Sequence, residues 1–223
     1  MALKGGTSVI EQSGAPPAFG EDFRAQLLDL FAWRRDVRRF ERTPLAAGTV
    51  ERLVQLAALA PSVGLSEPWR FVNVEAPARR AAIRQCFAAA NAEALADYSG
   101  SRAALYAQLK LAGLEEAPSQ LAVFVDADTQ QGQRLGRRTM PETLAYSAVM
   151  AVHTLWLAAR AEGVGLGWVS ILDPVAVTSA LDVPGGWQLI GYFCLGFPLE
   201  ASAEPELQRA GWEKRQPVEM LSR

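Results

Sequence analysis

The sequence predicts an α+β domain, and three observations point to it. Helical and strand patterns mix along the chain without the regular βαβ rhythm of a doubly wound sheet. Residues 121–125 form a five-residue apolar run that reads as a buried strand, and residues 188–195 read as a last core strand. Residues 143–159 contain no Asp, Glu, Lys or Arg. They belong to a predicted helix from about 141 to 162 that is apolar nearly all round, so most of its faces must be buried. A monomer can bury one such helix, and so can a dimer interface.

The other elements follow in order. From Glu21 to about Trp33, Phe23, Leu27, Leu30 and Phe31 recur at helical spacing. A second helix is expected from about 47 to 60, where Pro61 stops it. The loop Pro61-Ser62-Val63-Gly64-Leu65-Ser66-Glu67-Pro68-Trp69 leads into a strand over 70–74. Pro77 suits the start of a third helix reaching about 98. Residues 99–118 are less regular and mildly amphipathic. A lid that folds over a ligand would look like this, as would a plain surface helix. A strand over 167–171, a short helix over 174–181 and a polar tail from 199 complete the chain. The tail carries Trp212 and Leu221 and suits a segment wrapped over a partner.

Composition narrows the function. Of 223 residues, 50% are hydrophobic and 21% charged, which is ample for a core. A net charge of -2 argues against a general nucleic-acid binder. The two cysteines, Cys86 and Cys194, are far apart and read as free thiols in a reducing compartment. Residues 1–20 are rich in Gly, Pro, Ser and Ala and lack the apolar core of a signal peptide, so they read as a flexible arm before a single domain over 21–223. The charge-free stretch is too short, and too dotted with Tyr146, Ser147, His153 and Thr154, for a membrane span. The expected location is cytoplasmic.

The most informative segment is Arg34-Arg35-Asp36-Val37-Arg38. Arginine forks match phosphate oxygens, so three in five residues suit a grip on a dianionic phosphate. A solvated charge run at a helix end is the other reading. Asp36 opposes anion binding and should have a separate task. If the first helix reaches it, its charge also sits at the unfavourable end of the helix dipole, at about 0.3–1 kcal/mol.

No phosphate loop of the G-x-x-x-x-G-K-[ST] type occurs. Gly163, Gly165 and Gly167 do not match a dinucleotide fingerprint and follow a helix. They read as a tight turn, or as backbone amides free to approach a planar ring such as a flavin. His153, the only histidine, has no metal-ligand partner in the sequence and is expected to be a buried or interface residue. Ser170, at a strand end beside this turn, is placed to meet a ligand or to cap the strand.

These pieces, in this order, resemble the nitroreductase-like flavoproteins. The shared pattern is the arginine-rich helix end, the Ala60-Pro61-Ser62 to Pro68-Trp69 loop, the glycine turn into Trp168, Leu195-Gly196-Phe197-Pro198, and Lys214-Arg215. It covers nearly the whole chain from about Asp22. WLAARAEGVG (156–165), GWVSI (167–171), Tyr98-Ser99-Gly100, Leu109-Lys110-Leu111 and Glu204-Pro205-Glu206-Leu207 are similar, within that family, to the aerobic 5,6-dimethylbenzimidazole synthases of the BluB type.

The resemblance implies an α+β fold with a mostly antiparallel central sheet flanked by helices, and an intertwined homodimer with flavin sites at its interface. It implies that Arg34, Arg35, Arg38 and Arg215 hold the FMN phosphate and ribityl end, each contact contributing about 1.5–3 kcal/mol. Ser62 would assist in the same region. Val37, Ser99 and Lys110 would also line the flavin, Val169 and Ser170 would face its ring, and residues 99–116 would be a lid. The implied substrates are reduced FMN and O2, and the products 5,6-dimethylbenzimidazole, the lower ligand of cobalamin, and erythrose 4-phosphate. Asp36 would be the base or proton organiser, and Ser170 the orienting hydroxyl. A separate flavin reductase would be one source of reduced FMN. No membrane or nucleic-acid partner is implied. Relatives usually carry Gln where this chain has Glu67, which puts any amide-donor contact there in doubt. An NAD(P)H-dependent FMN nitroreductase or flavin reductase is the alternative on the same fold, and a flavin-sequestering dimer is another.

Overall fold

The computed structural model of the chain describes residues 16–223, so most of the expected N-terminal arm lies outside the described residues. Four strands, β1 (Trp69–Asn73), β2 (Ser119–Asp126), β3 (Gly165–Val169) and β4 (Trp187–Gly196), form one sheet in the order β1-β2-β4-β3, with every neighbour antiparallel. Among the described residues, seven α-helices accompany it: α1 (Glu21–Trp33), α2 (Thr49–Ala57), α3 (Pro77–Ala96), α4 (Gly100–Gln108), α5 (Thr143–Ala161), α6 (Pro174–Leu181) and α7 (Glu206–Arg209).

Strand periodicity divides the core into two layers. Leu121, Val123 and Val125 of β2 and Phe193 and Leu195 of β4 face α2 and α5. Ala122 and Phe124, with Tyr192 and Cys194, face α3 and α6. A bulge between Val123 and Phe124 resets the register so that both strands keep this alternation. The predicted mixture of elements is therefore an α+β arrangement with helices on both sheet faces.

Boundaries differ where local signals are weak. α2 is shorter than the expected 47–60. The irregular stretch after residue 98 holds a real helix, α4. β3 begins at Gly165, two residues before the expected 167. α1 ends at Trp33 and Arg34 is extended, with ψ 122°. Asp36 therefore lies beyond the helix, and the expected dipole penalty does not arise.

The apolar α5 buries Leu144, Ala148, Val152 and Leu155 but leaves Tyr146 55%, Val149 39% and Met150 45% exposed. His153 shares this exposed face, so of the two expectations, a buried or an interface residue, the chain itself does not supply the first. α1 contributes no fully buried residue, and Phe23, Phe31 and Trp33 are exposed. Among the described residues, no helix is long and apolar enough to cross a membrane.

Candidate active site

After Trp33 the chain runs extended against β3. Asp36 pairs with Leu166 in a parallel bridge, and the Val37 N–H donates to Leu166 O at 3.0 Å. Two glycines permit this approach. A Cβ at Gly165 would stand 2.8 Å from Val37 Cγ2, and one at Gly167 would overlap the Val37 carbonyl oxygen. The glycine turn therefore seats the arginine run, and both glycines are buried. That corrects the expectation that their amides stay free for a planar ring.

Asp36 locks the arrangement. Its Oδ1 accepts the Trp168 N–H at 2.8 Å, and its Oδ2 accepts Arg38 Nε at 3.0 Å. The carboxylate keeps unused lone pairs and is 32% exposed, so it anchors the loop while remaining reachable.

The four arginines expected at the phosphate have unequal freedom. Arg35 directs four of its five N–H donors to the carbonyls of Ala32, Arg34, Ser202 and Ala203. It splices the end of α1 to the C-terminal segment and has one donor left. Arg38 divides its fork between Asp36 and Lys110 O, the latter at 3.2 Å. Lys110 Nζ meets Glu116 at 2.8 Å. Arg34 lies 4.8 Å over the Trp156 ring, while Trp156 Nε1 donates to Arg35 O at 3.1 Å. Arg215 is exposed.

Charge converges on this spot. Burial lowers the Arg34 pKa; Asp36 opposes that shift and Arg215 adds to it. Burial also lowers the Arg35 pKa, and the charges of Arg215, Arg34 and Arg160 push the same way. Among the described residues, Arg34, Arg35, Arg160 and Arg215 form no ion pair. Such a set of donors fits a dianionic phosphate.

Sequence reasoning missed Trp156 and Arg160 as site residues. Their separation of four places them on one face of α5, but nothing in the sequence says that this face meets the arginine run.

Other expected site residues lie apart. Ser62 Oγ accepts the Glu67 N–H at 3.1 Å, and the next residue, Val63, donates to Ser147 Oγ at 3.0 Å. Ser147 is nine residues before Trp156 on α5, about 13 Å along the axis. One chain therefore does not bring Ser62 to the arginines. Ser99 is exposed at the start of α4. The Val169 side chain is 3% exposed in the layer facing α3 and α6, so only its backbone can face a ligand, contrary to the expectation for its side chain. Ser170 is exposed just past β3, about 7 Å along the strand direction from Trp168. Glu67 has φ +40°, and its Oε2 accepts Gln131 Nε2 at 2.7 Å. Its side chain serves as an acceptor, a role either Glu or Gln can fill.

Both cysteines are free, and burial pushes the Cys194 thiol up to about 12. Among the described residues, no His, Cys, Asp or Glu cluster could hold a metal.

The nitroreductase family model matches residues 31–197, three quarters of the chain and all of this geometry except Ser202, Ala203 and Arg215. The chain belongs to the nitroreductase family. Within that family it is 55% identical to a 5,6-dimethylbenzimidazole synthase of Rhodospirillum rubrum, over 93% of this chain and 98% of the relative. It is 46% identical to a protein of the same name from Rhodobacter capsulatus, over 90% and 97%. A Thermus thermophilus NADH dehydrogenase stands at 29%, over 75% of this chain and 84% of that protein. The nitroreductase fold is seen again in an iodotyrosine deiodinase solved with FMN and 3-iodo-L-tyrosine. That match has a TM-score of 0.68 at 23% identity and covers 88% of this chain and 97% of that one.

Proposed function

We propose that this chain is an aerobic 5,6-dimethylbenzimidazole synthase. The observation that carries the activity is end-to-end identity of 55% and 46% with synthases of that name. The observation that carries the ligand is the cluster of four guanidiniums around residue 34, none of which forms an ion pair among the described residues although Asp36 lies near enough to act on Arg34. Reduced FMN, when bound, supplies the ring that O2 fragments to 5,6-dimethylbenzimidazole, leaving erythrose 4-phosphate.

The chain's own residues divide the remaining work. Arg34 and Arg215 present the freest forks to the phosphate. Arg35 and Arg38 keep the run in place, with one Arg35 donor to spare. Asp36, beside Arg38 and reachable from solvent, holds or moves a proton next to the ligand. Ser170 offers an exposed hydroxyl just past the end of β3. Val37 and Lys110 line the approach, and Ser99 opens the segment over 99–116, which acts as a lid excluding water.

A homodimer completes the site. The exposed face of α5 and the roughly 13 Å along its axis between Ser147, which holds the Ser62 loop, and Trp156 support a two-fold partner that brings its own Ser62 loop to these arginines. A separate flavin reductase is one candidate source of reduced FMN.

The test is direct. FMN is reduced chemically under nitrogen, mixed with the protein and exposed to air. Mass spectrometry should find 5,6-dimethylbenzimidazole. Recovery of oxidised FMN alone would overturn the synthase reading, and a flavin reductase or a flavin store would remain as the alternatives.

A further inference from the structure

The C-terminal segment has a second attachment close to Arg215. α7 is closed by paired hydrogen bonds: Gly211 N–H donates to Gln208 O at 3.0 Å, and Trp212 N–H to Leu207 O at 2.9 Å. Gly211 takes φ +75°, as the left-handed helix terminator of this type requires. The closure sets the direction of Trp212, three residues before Arg215.

The Trp212 ring meets Tyr98 edge-on at 5.5 Å and Tyr106 at 6.0 Å, and the two tyrosines stack at 5.0 Å. The Arg102 guanidinium lies 3.9 Å over the same indole, and its Nη1 donates to Trp212 O at 2.9 Å. Arg102 and Tyr106 are one turn apart on α4. Tyr106 is the one buried residue of that helix, and its hydroxyl donates to Asn91 Oδ1 of α3 at 2.8 Å. Between α3, the end of α4 and residues 109–115 lies a cavity of about 410 Å³. A helix beside such a space forgoes packing on that side, so the Trp212 cluster carries much of its attachment.

We infer that Trp212 and Arg102 are positioning residues that couple helix α4 to the phosphate end of the site, so that an anion drawing Arg215 inward also seats α4. The inference rests on the FMN reading. Coupling of this kind is reciprocal: a seated α4 strengthens the hold on the phosphate by the same factor. A flavin without a phosphate loses both the direct contacts and the seating.

Hydrogen exchange read by mass spectrometry separates these ideas without any turnover. Oxidised FMN and riboflavin are added in turn to the wild type, to Trp212→Leu and to Arg102→Gln. The Arg102 change is at an exposed position and serves if Trp212→Leu folds poorly. In the wild type, FMN should slow exchange over both 34–38 and 99–116, and riboflavin should leave 99–116 unprotected. In the variants, FMN should still protect 34–38, while protection of 99–116 falls about tenfold, the size expected from losing one cation–π contact and its hydrogen bond. Equal protection of 99–116 in the wild type and both variants, or by riboflavin as by FMN, overturns the coupling alone. FMN that fails to protect 34–38 of the wild type overturns the FMN reading, and the coupling with it.

Discussion

Asp36 commits one carboxylate oxygen to the Trp168 amide and the other to Arg38. Asp36→Asn keeps an acceptor for Trp168 and removes the charge that steadies Arg38. The expected loss of stability is about 1 kcal/mol, reduced from the charged hydrogen-bond range because the group is one-third exposed. Denaturant unfolding would measure it. If Asp36 also moves a proton, FMN affinity should change less than about threefold while product formation falls at least about 100-fold. Parallel losses of binding and product would leave Asp36 as an anchor only. At this scale the sequence was partly legible. It marked the odd carboxylate among arginines, because that pattern is local. It did not reveal that Arg35 is turned onto backbone carbonyls of residues 202 and 203, or that Trp156 supports Arg34, because those contacts span more than 120 positions.

Strand β3 illustrates the next scale. The glycines before and within it suggest a turn or a flavin-facing surface; Gly163 makes the turn, with φ +75°, and Gly165 and Gly167 admit the backbone of Val37. Gly167→Ala should therefore push the arginine run off the strand. The expected cost is about 2–3 kcal/mol, at the upper end for overpacking because the obstacle is backbone rather than a flexible side chain. A lowered urea midpoint would record it, and FMN binding should weaken in step. A variant with unchanged midpoint and affinity would mean that the two segments part easily. The long periodic helices and apolar strands were legible because burial imposes their spacing. α4 was legible only as one of two readings, a surface helix or a lid, because its nine residues bury only Tyr106 and so leave little pattern to fix its bounds.

For the whole molecule, the all-round apolar character of α5 was visible in the sequence, but the chain covers only part of it. Tyr146, Val149, Met150 and His153 share the uncovered side. If the proposed homodimer packs on this side, Met150→Glu should convert it to a monomer by light scattering, since a charge buried at an apolar interface is strongly unfavourable. Because Ser62 and the arginines would then lie on separate molecules, FMN affinity should fall at least about tenfold, which is about 1.4 kcal/mol. A monomeric wild type would leave the Ser62 loop without a role in binding.

The cluster at Arg34, Arg35, Arg160 and Arg215 has a further consequence for the order of events. In the proposed reaction the phosphate stays with the sugar fragment, while the aromatic fragment carries no charge for these groups to grasp. The same guanidiniums thus hold the ligand before the ring is broken and one product afterwards. The benzimidazole should depart first and the sugar phosphate last, and a fresh flavin must wait for that exit. An enzyme arranged in this way is slowed by its own by-product, and its pace depends on how quickly that by-product is cleared from solution.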